Sequence, residues 1–216
     1  MVKHSKITKV FQLSLVIIFI LVLLGLFVPQ QFQNISSYLK NLLTTSVGWF
    51  YLLLVTGILI FCVFLIVSPI GQIRLGNPTS RPEHSTTSWI AMMFSAGMGI
   101  GLVFYGAAEP LSHFAISTPN AEIGSADALA DAFRFTFFHW GFHAWAVYAL
   151  VGLSLAYFGF RKREKYQLSV VFKPLFGKYA DGPIATIIDT ITIIATVIGV
   201  ATTLGFGASQ INGGLS

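Results

Sequence analysis

The chain is 216 residues long, 55% hydrophobic and only 10% charged, where soluble domains carry about 25% charged residues. A formal charge of +5 would suit nucleic acid, but the basic residues fall between apolar runs and form no single stripe, which argues against that class. Cys62 is the single cysteine and sits inside an apolar run, so an intrachain disulfide is excluded and a zinc cluster is disfavoured.

Five apolar segments follow in order, near 10–28, 48–68, 89–107, 133–158 and 184–208. Each is close to the roughly 20 residues a helix needs to cross about 30 Å of hydrocarbon. Lipid offers no partner for backbone N–H and C=O groups, so helices are the expected form. The fold class expected is an all-α membrane protein with five transmembrane helices. The first segment follows Lys3, Lys6 and Lys9 as a signal peptide would, yet it ends in Phe-Val-Pro-Gln-Gln without a small-residue cleavage site. It is read as a retained span.

Charge sets the orientation. Lys3, Lys6 and Lys9 precede the first span, Arg74 and Arg81 follow the second, and Arg161, Lys162, Arg163, Lys165, Lys173 and Lys178 lie between the fourth and fifth, which places 11 of the 13 basic residues on one side. Lys40 and Arg134 fall on the other, beside Glu109, Glu122, Asp127 and Asp131. The positive-inside rule then puts the N-terminus in the cytoplasm. The outer connection 108–132 holds Pro110, Pro119 and Gly124, and the basic connection 159–182 has room for a short interfacial helix. The closing Asn-Gly-Gly-Leu-Ser lacks the helix-stop pattern of a finished protein, and a truncated chain, inactive alone, is expected.

The third span reads Ser95-Ala-Gly-Met-Gly-Ile-Gly101. Each glycine there costs a helix about 1 kcal/mol relative to alanine. A break at mid-span frees backbone groups, which is tolerated where they line a cavity. Such groups bind carboxylates through N–H and sodium through C=O. Close helix packing by the Gly97–Gly101 GxxxG pair is the competing reading. The fourth span holds Trp140, Trp145 and Tyr148, which share one face of a continuous helix. Trp145 lies about 18 Å from the outer end of the span at 1.5 Å per residue, deeper than an interfacial belt places aromatics. A trimethylammonium group has no N–H to donate, and aromatic faces hold such a cation; an aromatic packing ridge with Phe135, Phe137, Phe138 and Phe142 is the alternative. His139 and His143 form an i, i+4 pair that reads as a satisfied pair inside the bundle, with metal or proton-relay roles as rivals. Thr190, Thr192, Thr196, Thr202 and Thr203 on the fifth span either ligate sodium or bond their own helix. Asp189 reads as interfacial, and Glu109-Pro110, capping the outer end of span three, as a loop anchor, with gating of access as the rival.

Three stretches carry a resemblance: Ser95 to His113, His139 to Tyr148, and Ala195 to Gly214. Together, in order and on these spans, they resemble the betaine/carnitine/choline transporter family. The resemblance implies twelve spans, two peripheral helices followed by five-plus-five helices in inverted repeat. Residues 1–87 would hold the tail and the peripheral helices, and 88–216 the first three helices of the first repeat. It implies a symporter in the cell membrane of a bacterium that imports glycine betaine or a related osmoprotectant, and no enzyme. Trp140, Trp145 and Tyr148 match the positions that box the ammonium. Gly97, Met98, Gly99, Ile100 and Gly101 match the stretch that faces the substrate. Sodium, as coupling ion, would take backbone at Ser95 and Met98; Thr196 matches a second-site threonine, while Val200 stands where its partner is expected. Gly101, in place of the aspartate of many choline-type members, favours a zwitterion. Implied partners are a small quaternary-ammonium solute, the lipid bilayer and further copies in a trimer, with no nucleic acid. The rivals are proton-coupled choline uptake, sodium-independent carnitine exchange, and a non-transporting membrane scaffold.

Overall fold

A computed structural model of the chain describes residues 8–116, 118 and 120–215, with backbone alone at Ala96, Ile100, Lys178 and Leu215. Lys3, Lys6 and Pro119, used above, lie outside the described residues, as does the side chain of Lys178. Among the described residues all regular structure is helical. The long helices are α1 (Lys9–Phe27), α2 (Pro29–Val67), α3 (Thr86–Gly97), α4 (Ile100–Ala115), α5 (Ala126–Trp140), α6 (Phe142–Ala156) and α9 (Pro183–Leu215), with short α7 (Leu168–Val171) and α8 (Lys173–Phe176) before α9.

Local chemistry sets most of the ends. The side chains of Thr8, Ser85 and Ser125 accept the N–H groups of Phe11, Ser88 and Ala128 and cap α1, α3 and α5, satisfying donors that a helix start leaves free. Val28 precedes Pro29, whose ring disfavours helical backbone there, so α1 stops at Phe27 and Val28 adopts φ −136°, ψ 54°. Pro29 is then the first residue of α2, a position where its missing N–H costs nothing.

Among the described residues, four helical runs are long and apolar enough to cross a membrane: Lys9–Phe27, Pro29–Val67, Ala126–Arg161 and Pro183–Gly214. The expected third span is present as the shorter α3 and α4. The second differs from its expected 48–68, because α2 begins at Pro29 and has 39 residues. At 1.5 Å per residue it is about 58 Å long, well beyond the ~30 Å of hydrocarbon. Its first turns, rich in Gln, Asn and Ser, are too polar to read as an apolar run, yet they continue the helix. The hydroxyls of Thr44 and Thr45 donate to the carbonyls of Lys40 and Asn41 there. The outer end of the third span also differs. α4 runs through Pro110 to Ala115, so Glu109 lies inside a helix rather than at its cap. Packing of α4 along α5 holds that stretch helical despite the proline.

The chain divides into two compact units, Met1–Gly57 with Val151–Ile198, and Ile58–Leu150 with Gly199–Ser216. In the second, α4 packs on α5, and the buried apolar residues are the small Ala128, Ala132 and Ala146, which let helix backbones approach closely. The Cys62 thiol donates to the Ala146 carbonyl at 3.6 Å.

In the first unit, α6 closes in a π-turn, Tyr157–Arg161, and the basic connection folds as α7, α8 and a 3-10 turn at Gly177–Asp181. Asp189, near the start of α9, was expected to be merely interfacial. It is buried, and its carboxylate accepts both the Ser169 N–H at 3.0 Å and the Ser169 hydroxyl at 2.8 Å. Replacing Asp189 by alanine strands two buried donors, each worth about 1–3 kcal/mol. The expected result is a clearly lowered thermal midpoint in detergent, partly restored by asparagine; a midpoint equal to the parent's would refute the anchoring role. In the same connection, the hydrogen bond from Lys173 to Glu164, at 3.1 Å, holds the lysine pKa above its ordinary value, with the Asp181 charge adding to the effect. Lys173 is therefore a fixed cation of the basic connection.

Candidate functional site

The glycine stretch is unwound. α3 ends at Gly97, Met98 takes φ −88°, ψ 46°, Gly99 takes φ −70°, ψ 172°, and α4 restarts at Ile100 without a side-chain cap. The end of α3 leaves carbonyls, and the start of α4 leaves N–H groups, without helical partners. The N–H end carries the positive pole of the α4 dipole.

The fourth span is broken as well, which the sequence reading did not anticipate. α5 ends at Trp140, Gly141 is extended (φ −88°, ψ −155°), and α6 starts at Phe142. A Cβ on Gly141 would run into the carbonyl oxygen of Phe137, so glycine is required by close approach. The helical-face count from Trp140 to Trp145 therefore does not apply across Gly141; it holds for Trp145 and Tyr148, which are both on α6. The two tryptophans are brought together differently, because the Trp145 Nε1–H donates to the Trp140 carbonyl at 3.0 Å.

Both indoles lie against the glycine stretch. A Cβ placed on Gly97 would sit 3.2 Å from Cη2 of Trp145, and one on Gly101 would sit 3.9 Å from Cη2 of Trp140. The Tyr148 ring packs on Trp145 with centroids 5.6 Å apart and is 75% exposed within this chain, against 40% for Trp145. Ser95 and Met98 stand on either side of Gly97 at the end of α3; the side chain of Ile100 is outside the described atoms. Thr196 belongs to the other compact unit. Its hydroxyl donates to the Thr192 carbonyl of its own helix at 2.8 Å, as do those of Thr192 to Ile188 and Thr203 to Gly199.

Three residues of this region were not singled out as site residues in the sequence. Tyr105 lies 6.0 Å from the Trp140 ring, and Phe206 meets Tyr105 edge-on at 5.1 Å while stacking on Phe104 at 5.0 Å. An aromatic between two glycines, as in Gly205-Phe-Gly207, was the available signal for Phe206. The third is Glu109, whose carboxylate accepts from Trp140 Nε1 at 2.7 Å and from His139 Nδ1 at 2.9 and 3.0 Å. The expected i, i+4 pair of His139 and His143 is a correction: the break at Gly141 separates them. His139 pairs instead with the Glu109 carboxylate, and His143 packs on the Phe138 ring at 4.6 Å.

Membrane-length helices, one unwound and one broken, with indoles over the unwound glycines, define a polytopic membrane protein whose irregular backbone is sheltered by aromatic rings. The betaine/carnitine/choline family transporter model matches residues 9–216, and the chain belongs to that family. It is 53% identical over its whole length to the glycine betaine transporter OpuD of Bacillus subtilis, of which it covers 42%. It is 44% identical over 96% of its length to a glycine betaine transporter of Acinetobacter baylyi, covering 31% of that protein. It is also 44% identical over 95% of its length to an ectoine/hydroxyectoine transporter of Virgibacillus pantothenticus, covering 41%. The chain thus spans less than half the length of these relatives. The family is one of membrane transporters, not of enzymes.

Proposed function

We propose that these residues form part of a secondary transporter that imports glycine betaine by sodium symport. The observation that carries the reading is the placement of Trp145 over Gly97 and Trp140 over Gly101. The trimethylammonium group sits against the indoles and Tyr148, where each dry aromatic face contributes about 0.5–2 kcal/mol. The carboxylate meets the uncapped N–H groups that open α4, from Gly99 to Gly101, at the positive end of its dipole. The last turn of α3 offers carbonyls at Ser95 and Met98 to a sodium ion, and Thr196 is the proposed hydroxyl for a second ion. That hydroxyl must then turn from the Thr192 carbonyl toward the ion. We extend the reading to a homotrimer in the bilayer.

The test is uptake of labelled betaine by cells that lack osmolyte transporters and produce a full-length transporter carrying these 216 residues, joined to the remaining length of the Bacillus subtilis relative. Uptake is expected to be saturable and mostly lost when potassium replaces sodium. Uptake indifferent to sodium would overturn the coupling ion; failure of betaine to compete with labelled choline or carnitine would overturn the substrate.

A further inference from the structure

We infer that Glu109 is a positioning residue for the substrate, acting through Trp140; this rests on the reading of Trp140 as part of the onium pocket. The Glu109 side chain is 11% exposed and its carboxylate is surrounded by donors from two helices. Trp140 Nε1–H reaches Oε2 at 2.7 Å, His139 Nδ1 reaches both oxygens at 2.9 and 3.0 Å, and His113 Nε2 lies 3.5 Å from Oε1, one turn along α4.

An indole has one polar atom, and that atom is a donor only. Pinning it fixes the rotation of the ring about its side chain. Attraction of an onium ion depends on presenting the ring face rather than its edge, so the orientation of Trp140 is a condition of its use. Tyr105, 6.0 Å away, and Gly101, whose Cβ would lie 3.9 Å off, border the ring. Apolar contacts of this kind do not by themselves select where the indole N–H points; the hydrogen bond to Glu109 does. The two histidines in turn hold the carboxylate, His139 from the α5 turn that carries Trp140, and His113 from Glu109's own helix. The fixed geometry continues inward, because the Trp140 carbonyl takes the Trp145 indole N–H at 3.0 Å. Both indoles of the pocket are thereby tied by their only polar atoms, one to α4 and the other to the end of α5.

The experiment is a double-substitution cycle on betaine uptake in the full-length transporter described above, with a structural readout beside it. Glu109→Ala removes the charge-assisted acceptor that fixes the ring, so it is expected to raise KM about tenfold or more with kcat little changed. Glu109→Gln, which keeps an acceptor for the indole, is expected to stay within a few-fold of the parent. Trp140→Phe removes the donor, and in that background Glu109→Ala is expected to add little, since residues acting as one unit are not additive. In purified transporter labelled with 5-fluorotryptophan, the 19F signal assigned to Trp140 by its loss in Trp140→Phe is expected to shift and broaden in Glu109→Ala. An unchanged KM or an unmoved 19F signal in Glu109→Ala overturns the proposal. So does a full additional effect on KM in the Trp140→Phe background, which would make Glu109 a direct ligand of the cation. The underlying pocket fails separately, by Trp140→Phe and Trp145→Leu both leaving KM at the parent value.

Discussion

Trp145→Leu in the full-length transporter is expected to raise the KM for betaine by tens-fold while leaving its amount in the membrane close to the parent's. The ring supplies an aromatic face over the unwound segment, worth up to about 2 kcal/mol for a dry onium contact, and tenfold in affinity corresponds to about 1.4 kcal/mol. It also donates to the Trp140 carbonyl at 3.0 Å, a neutral bond contributing about 1 kcal/mol. Trp145→Phe keeps the face and loses the donor, so its effect is expected to be several-fold and smaller than that of leucine. Because the ring is 40% exposed within this chain, the fold does not depend on it as on a core residue. Kinetics measured over a range of betaine concentrations, with membrane levels read by immunoblot, decide the matter. Equal KM values for parent and leucine variant would remove Trp145 from the site.

Gly141→Ala is expected to abolish most uptake and to lower the thermal midpoint of the solubilised transporter. The added methyl meets the Phe137 carbonyl oxygen, a backbone atom that cannot rotate away as a side chain can. Relief requires either displacing the last turn of α5, where Trp140 and His139 sit, or winding α5 and α6 into one helix. Both change the relation of Trp140 to Trp145, and forcing an extra methyl into a packed site costs about 1–3 kcal/mol. Gly57→Ala is the control: its Cβ meets nothing within 4 Å, and a helix interior gains up to about 1 kcal/mol from alanine. It is expected to be neutral or slightly stabilising. Parent-like stability and uptake in Gly141→Ala would show that the break between α5 and α6 is dispensable.

Much of the architecture follows from the order of the residues. Apolar runs of membrane length and basic residues concentrated on one side need no tertiary information, because transfer from water to lipid is a sum over local side chains. The unwinding at Met98–Gly99 was legible for the same reason: three glycines in five residues weaken a helix wherever it packs. Val28 before Pro29 is equally local.

The break at Gly141 belongs to the other kind. One glycine inside a helical run is ordinarily tolerated, and what makes it necessary is the approach of its backbone to Phe137, a property of the folded turn. The union of Glu109 with His139 and Trp140 joins residues 30 and 31 positions apart, and depends on the register of α4 against α5. The same holds for Asp189 and Ser169, 20 positions apart. Propensity and hydropathy are local and could place these groups near helix ends, but a hydrogen bond needs its partner within about 3 Å. Between α4 and α5 that distance depends on a close approach of the two helices, with the small Ala128 and Ala132 buried on α5, which only the packed structure decides.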